Sequence, residues 1–448
     1  MLRMITRTAL ILLAAAALYG QRSVASLSDI QNVVIIFQEN WSFDSLFGFF
    51  PGANGIEKAG KIKQVSKEGR TYEVLPQPMD TRIRPLAPDA RFPANLPVLP
   101  FDLAKYVKAD DQTGDLIHRF YQQQLQINDG KMDRFVAYSD AAGLAMSYYD
   151  ATDFPEGKLA KEFTLADNFF HAAFGGSFLN HFWLICACTP VWPNAPADMV
   201  VQIKGKDLVR DGVVTPDGFA VNTSMPFYKP YSPNVPDPKR RVPPQTAPTV
   251  GDRLTARNIP WRWYAGGYDA ALAGNPGNLF QFHHQPFVYF ENYADGKPAK
   301  EEFLKDEKVF YEDLKAGQLP AVSFIKLYAL DNEHPGYASV MQGQERVADI
   351  VRLIRESPYW PKSAIFIVYD ENGGRWDHVA PPKIDRWGPG VRVPAIIISP
   401  YAKKGYVDHT VYDTTSILAF IERRWNLRPL GTRDAGANDL TAAFEFRR

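Results

Sequence analysis

Ser363-Ala364-Ile365-Phe366-Ile367-Val368-Tyr369-Asp370-Glu371-Asn372-Gly373-Gly374-Arg375-Trp376-Asp377-His378-Val379 is the stretch on which the fold of this chain turns. From Ala364 to Tyr369 it is an unbroken apolar run rich in β-branched side chains. Such a run predicts a central strand buried on both faces. It stops at two adjacent carboxylates, Asp370 and Glu371, and the permissive turn Asn372-Gly373-Gly374 follows. Asp377 and His378 come next. In an open α/β sheet, ligands sit at the carboxyl ends of central strands. Acids and a histidine there predict a metal or phosphate site.

Two other stretches point to the same place. Asn32-Val33-Val34-Ile35-Ile36-Phe37 is a second buried-strand pattern, and it runs out into Gln38-Glu39-Asn40. Asn40 is also a good helix cap; its pairing with a second acid-tipped strand favours the ligand reading. Gly175-Gly176-Ser177 precedes a helical apolar pattern at Phe178, Phe182 and Ile185. That puts Ser177 at a helix N-terminus, where free N–H groups and the dipole favour an anion or a developing alkoxide. A plain N-cap serine shows the same pattern.

The rest of the chain supplies alternating elements. A helix is predicted from Asp115 to Ile127, with His118 on it, ending at Asn128-Asp129-Gly130. Residues 56–112 read as loops and edge strands. Residues 189–250 hold 12 of the 35 prolines; with a turn at Pro216-Asp217-Gly218 they read as a surface excursion over the site mouth. Then follow a helix (Val250 to Arg257), a strand (Pro260 to Tyr264), a loop bearing His283 and His284, and a helix (Phe303 to Leu314). A strand from Ala321 to Ile325 leads to a polar loop with His334. A helix from Gln344 to Glu356 has Val347, Ile350, Val351 and Ile354 on one face. A strand (Pro394 to Ile398) and a helix (Asp413 to Trp425) close the series. Buried strands separated by helices predict α/β with a largely parallel sheet.

At 448 residues with 46% apolar content the chain can build a large core. Fifty acidic and 50 basic residues balance, which gives no support to nucleic-acid or membrane-surface electrostatics. Arg3 and Arg7, the apolar run Ala9 to Leu18, and Ser23-Val24-Ala25 form a signal-peptide pattern, so residues 1–25 are expected to be a leader. Removing it takes away three arginines and no acid, and leaves a net charge of −3. Export to the periplasm or outside the cell is expected, with no integral span in the mature chain. The only cysteines, Cys186 and Cys188, are two apart; a bridge would close a very small ring, and two buried free thiols are expected.

Glu39, Asn40, Ser177, Asp370 and Glu371 make a plausible constellation, with His118, His284 and His334 around it. Hard oxygen donors suit Mg, Ca or Mn, and Zn less exclusively. A metal beside Ser177 would make its hydroxyl a nucleophile, and histidines could hold the oxygens of a phosphoryl group.

These residues lie in motifs that resemble the bacterial phosphoesterase family of secreted acid phosphatases and phospholipases C, within the alkaline-phosphatase-like superfamily. The motifs are ENWSFDSLFG at Glu39, NDGKMDRF at Asn128, GGSFLNH at Gly175, DNEHPG at Asp331 and YDENGGRWDHVAPP at Tyr369. VPAIIISPYAKKG and YDTTSILAFIERRW near the C-terminus resemble it too. The resemblance implies an alkaline-phosphatase-like three-layer sandwich over residues 26–448, with a mostly parallel sheet flanked by helices. It implies one divalent metal on Glu39, Asn40, Asp370 and Glu371, with Ser177 also at the metal and transiently phosphorylated. His118, His334 and one of His283 and His284, taken as His284, match the phosphate pocket. His181, Asp377 and His378 are candidates for supporting those ligands. Trp41 departs from the family's usual arginine in E-N-R-S-F-D. The expected activity is a phosphomonoesterase on small phosphate esters. A phospholipase C on phospholipid head groups is the alternative, and a silent binding protein on the same fold a further one.

Overall fold

The computed structural model describes residues 26–205 and 207–446; the leader expected over residues 1–25 lies outside them. Eight strands drawn from most of the chain form one sheet: β1 (Asn32–Gln38), β2 (Thr164–Ala166), β3 (Trp261–Ala265), β4 (Leu304–Asp306), β5 (Val322–Lys326), β6 (Ser363–Tyr369), β7 (Ala395–Ile398) and β8 (Tyr406–Asp408). Their order is β4-β3-β5-β1-β6-β7-β2-β8. Every pairing is parallel except the two made by β7. The strands with the longest apolar runs, β1 and β6, lie side by side near the centre, and every residue in both is buried. That is the physical reason their sequences do not alternate: neither face meets water.

Helices flank the sheet, as an α/β sandwich requires. Those that matter here are α1 (Phe43–Phe47), α2 (Phe120–Ile127), α3 (Pro155–Glu162), α4 (Ser177–Cys186), α5 (Glu307–Ala316), α6 (Val340–Arg355) and α7 (Thr415–Trp425). The predicted face of α6, Val347, Ile350, Val351 and Ile354, is buried. Ser339 caps this helix by accepting from the Gln342 N–H. No helix among the described residues is long and apolar enough to cross a membrane.

Three local expectations are corrected. The helix expected from Asp115 begins only at Phe120. The amides that would start it are taken elsewhere: Ile117 N–H donates to Asp140 Oδ1 (2.8 Å) and Phe120 N–H to Asn222 Oδ1 (3.1 Å). His118 therefore sits on an extended segment, not on a helix. The helix expected from Phe303 is split: Leu304–Asp306 joins the sheet as β4, and Asp306 caps α5 by accepting from the Lys308 N–H. Cys186 and Cys188 are joined in a disulfide, so the free-thiol expectation fails. The last helical residue of α4 is Cys186, and the left-handed Ala187 after it turns the chain back so that the two sulfurs meet.

The Pro-rich excursion carries a short exposed ribbon, Gln202–Lys204 against Asp207–Arg210. Its predicted turn forms at Thr215 to Gly218, with Gly218 N–H donating to the Thr215 carbonyl and Gly218 at φ +86.

Candidate active site

The register of β1 on β6 builds the site. Gln38 pairs with Tyr369, so the next residues, Glu39 and Asp370, emerge side by side at the carboxyl edge. Asp370 N–H donates to the Gln38 carbonyl at 3.0 Å and locks the two ends together. Asn40 takes a left-handed backbone (φ 64), as an asparagine tolerates. Gly373 (φ +59) packs against it so closely that a Cβ would lie 2.4 Å from the Asn40 carbonyl oxygen. The glycine of the predicted turn is thus what lets the two ligand loops touch.

Ser177 is the first residue of α4, with Gly176 as its cap. Its Oγ donates to Asn40 Oδ1 at 3.3 Å. Gly175 (φ +90) lets this turn approach the His118 segment, where a Cβ would meet Phe120 N at 2.7 Å. Ser177, Glu39, His118, His283 and His334 all line one cavity of about 560 Å³. Asn222 and Thr223 of the excursion line it as well.

The floor of the site is acidic and dry. Glu39, Asp370 and Glu371 are 1%, 0% and 0% exposed. Lys326 Nζ stands 2.8 Å from Glu39 Oε1 and 3.7 Å from Asp370 Oδ2. His284 Nε2 makes a close contact with Glu39 Oε1, and His334 Nε2 lies 3.7 Å from Glu39 Oε2. His118 Nε2 is 3.6 Å from Glu371 Oε1, and the other Glu371 oxygen accepts from Gly373 N–H at 2.6 Å.

These surroundings push the acids apart. Burial opposes ionisation of Glu39, but His284 and Lys326 outweigh it and hold its carboxyl well below the usual range. Burial pushes Asp370 up to about 7 against the pull of Lys326. Burial, reinforced by the charge of Asp370, drives Glu371 well above its ordinary value. Burial lowers His181 and His283 well below the imidazole range and brings His284 to about 4 despite Glu39. The protein alone does not supply the positive charge that three ionised carboxylates need.

Orphaned atoms say the same. Both oxygens of Asp370, Glu39 Oε2, Glu371 Oε1 and Asn40 Nδ2 are buried without a hydrogen bond, and Glu39 Oε1 meets the Lys326 and His284 nitrogens. Unsatisfied buried polar groups are costly, and oxygens converging in this way fit a hard divalent cation. The donor set predicted in the sequence therefore fits a metal.

The histidines are oriented by the backbone. His118 donates from Nδ1 to the Leu116 carbonyl, His334 to the Pro335 carbonyl (2.5 Å) and His181 to the Ser177 carbonyl (2.7 Å). In a neutral ring this fixes Nε2 as the acceptor; for His118 and His334 that atom faces the acids at the cavity floor. His181 lies behind the site with its Nε2 unpartnered, stacked on His284 at 5.2 Å. His283 and His284 divide the work that the sequence left between them: His283 lines the cavity, and His284 faces Glu39.

Asp377 and His378 do not join the cavity. They belong to a separate buried network in which Arg392 donates to Asp377 (2.9 Å) and Asp44 (2.9 Å), and His378 Nδ1 contacts Asp44 Oδ2 (2.7 Å). This network ties α1 to the loop after β6. Asp44, Asp377 and His378 could geometrically hold a metal, but the buried Arg392 guanidinium already satisfies both acids.

Sequence reasoning missed Lys326. The signal was present: a lysine directly after the buried run Val322 to Ile325 must either leave the sheet or find acids at its edge. Trp41, the departure noted above, is fully buried; its ring carries the Arg375 guanidinium 3.9 Å from the centroid, and its Nε1 donates to the Glu333 carbonyl at 3.2 Å. A buried cation supplied from the loop after β6 thus rests on the ring next to Asn40 in sequence.

A model of the Phosphoesterase family matches residues 30–428. The non-hemolytic phospholipase C of Pseudomonas aeruginosa is 26% identical over 97% of this chain and 60% of its own length. Phospholipase C A of Mycobacterium tuberculosis is 25% identical over 94% of this chain and 78% of its own. The chain thus spans about three fifths of the first of these relatives. Among solved structures, a protein in the alkaline phosphatase superfamily from Vibrio parahaemolyticus superposes with a TM-score of 0.35 at 9% identity, over 74% of this chain and 73% of its own. The match across nearly the whole length, with the acid-tipped strands and the serine-led helix inside it, establishes that the chain belongs to the phosphoesterase family.

Proposed function

We propose that the protein is an exported, metal-dependent phosphoric ester hydrolase in which Ser177 is the nucleophile. The observation that carries this reading is the position of the Ser177 hydroxyl. It stands at a helix N-terminus, against Asn40 and beside buried orphaned carboxylates, and it opens onto a cavity lined by histidines. Family membership and the relatives' phospholipase C names support the reaction class.

Glu39, Asn40, Asp370 and Glu371, with Ser177 Oγ, would hold one divalent ion. When bound, such an ion supplies Lewis-acid charge that lowers the serine hydroxyl pKa. The chain's own groups do the rest. The phosphoryl group lies over the N-terminus of α4, where backbone N–H groups face its oxygens. His118, His283 and His334 surround it from the cavity walls. Ser177 Oγ loses its proton to a neutral cavity-wall imidazole or to water and bonds to phosphorus as the ester oxygen leaves, and that proton passes to the leaving oxygen. Water then cleaves the phosphoserine and releases phosphate.

Small phosphate monoesters are the substrates this reading favours. The similarity to phospholipases C supports a second reading, phosphodiester cleavage at phospholipid head groups. Initial rates on p-nitrophenyl phosphate and p-nitrophenylphosphorylcholine, with and without chelator, separate the two. The proposal expects faster monoester hydrolysis that chelation abolishes. Preference for the choline ester would transfer the substrate assignment to the phospholipase reading, and chelator-resistant hydrolysis would remove the metal from the mechanism.

A further inference from the structure

We infer that Gln123 is a positioning residue whose side-chain amide clamps the turn presenting Ser177 to the turn that follows Asp370 and Glu371. The inference rests on the reading of Ser177 as nucleophile and of the two acids as ligands, and concerns what holds the one in place against the others.

Gln123 lies on α2, is fully buried and does not line the cavity. Its amide has three partners drawn from two loops. Oε1 accepts from the Gly175 N–H at 2.9 Å. Nε2 donates to Asn372 Oδ1 at 2.5 Å and faces His171 Nε2 at 2.9 Å. Gly175 stands two residues before Ser177, and Asn372 directly follows Glu371. These partners lie 52 and 249 residues from Gln123 in sequence. One side chain thus joins the nucleophile turn and the ligand turn, which meet only in the folded chain.

The donors and acceptors around it fit one residue type. His171 Nδ1 donates to the Ala173 carbonyl at 2.8 Å, so Nε2 of the neutral ring is an acceptor. Burial pushes this imidazole down to about 4, which keeps it neutral at ordinary pH. Turning the Asn372 amide over would break the bond from its Nδ2 to the Arg375 carbonyl (2.6 Å), so Asn372 Oδ1 is held towards Gln123 as an acceptor. The position needs one acceptor and two N–H donors. A glutamine amide supplies them, and a carboxylate does not. Without it, buried polar groups on both turns would lose their partner. Gln123 makes none of these bonds to Glu39, Asn40, Ser177, Asp370 or Glu371 itself. It acts through the turns that carry Ser177 and the two acids, where a misplacement of about 1 Å costs on the order of a hundredfold in rate.

The test uses the full chain in saturating Mn²⁺ or Ca²⁺. It reads kcat, KM and melting temperature on whichever of the two chromogenic esters the wild type hydrolyses faster. Gln123→Met keeps the length of the side chain and removes all three bonds. Its kcat is expected to fall by about tenfold to a hundredfold with KM little changed. Gln123→Glu keeps an acceptor for Gly175 and loses both donors, and the same loss of kcat is expected. Gln126→Met is the comparison: Gln126 is buried on the same helix, and its amide donates to the Tyr138 carbonyl (3.4 Å), away from both turns. It is expected to lower the melting temperature and keep the wild-type kcat. A wild-type kcat in Gln123→Met would overturn the proposal, and so would an equal loss of kcat in Gln126→Met, the mark of packing alone. Should Gln123→Met fail to fold, a wild-type kcat in Gln123→Glu would overturn it in the same way. Ser177→Ala, run alongside, separates the two readings. If it keeps the wild-type rate, the nucleophile reading falls; if it is inactive while the Gln123 variants keep the wild-type kcat, the clamp alone falls.

Discussion

The Ser177 hydroxyl and the Asn40 side-chain carbonyl meet at 3.3 Å across 137 residues of sequence. One comes from the first turn of a helix and the other from the end of a central strand. Both residues are buried, so the polar contact here is held by the fold. If this serine is the nucleophile, Ser177→Ala should lower kcat on p-nitrophenyl phosphate by about a thousandfold or more. The melting temperature should change little, because only one weak hydrogen bond is lost. Retention of wild-type rates would exclude the serine mechanism.

A second expectation concerns pH. Under the site, the Tyr369 hydroxyl lies 2.6 Å from Glu333 and 3.0 Å from Glu156. Burial raises Glu156 well above its ordinary value, with the Glu333 charge adding to the effect, and burial pushes Glu333 up to about 7. A carboxyl with a raised folded pKa contributes stability that is complete below its unfolded pKa, near 4.5. That stability is lost as pH rises through the folded value, at about 1.4 kcal/mol per pH unit for each proton. Glu156→Gln keeps the shape and removes one of the two charges. It should match wild type near pH 4 and be the more stable of the two at pH 8, by denaturant titration in chelator. A wild-type advantage that grows with pH would contradict this.

Trp41 offers a packing test. Its buried ring carries the Arg375 guanidinium, which also donates to Ser147 Oγ at 2.6 Å. Burial brings the Arg375 pKa down to about 10. Trp41→Arg, the residue the family resemblance would lead one to expect, would set two guanidinium groups together without a new acid. Loss of roughly 3 kcal/mol or more is expected, since an uncompensated buried charge is among the costliest single changes. Combining it with Arg375→Met should recover part of that loss, and a purely additive double variant would argue against direct repulsion.

The disulfide is expected to matter little to stability. Cys186 and Cys188 are two residues apart, and the loop-entropy argument gives only about 1–2 kcal/mol for so short a ring. A thiol assay on denatured, unreduced protein should find no free sulfhydryl. Cys186→Ser with Cys188→Ser should melt within a few degrees of wild type. Two free thiols in that assay would return the cysteines to the reading the sequence first suggested.

How much of this was legible in the sequence follows from the physics of each part. β1 and β6 could be read directly because a strand buried on both faces must be apolar without interruption. The acids at their ends stood out because nothing in a core explains them. The glycines before Ser177 and after Glu371 were readable as turns. The three-residue strands β2, β4 and β8 were not, since so short a segment carries no period; their strand state comes from the neighbours they pair with. The segment bearing His118 has helical spacing, yet Asp140 and Asn222 capture its amides. Partners that distant leave no trace in local pattern.

The sequence by itself therefore determined the fold class, the family and the carboxylates, serine and histidines that gather at one edge of the sheet, because burial and backbone geometry impose local constraints on residue type. Only the tertiary structure decided that Gln38 aligns with Tyr369 so that Glu39 and Asp370 emerge together, that Lys326 stands between them, and that Asp377 and His378 turn away to Arg392. Strand register and side-chain partnership are set by packing between segments hundreds of residues apart, and the energy that chooses among them exists only once those segments are in contact.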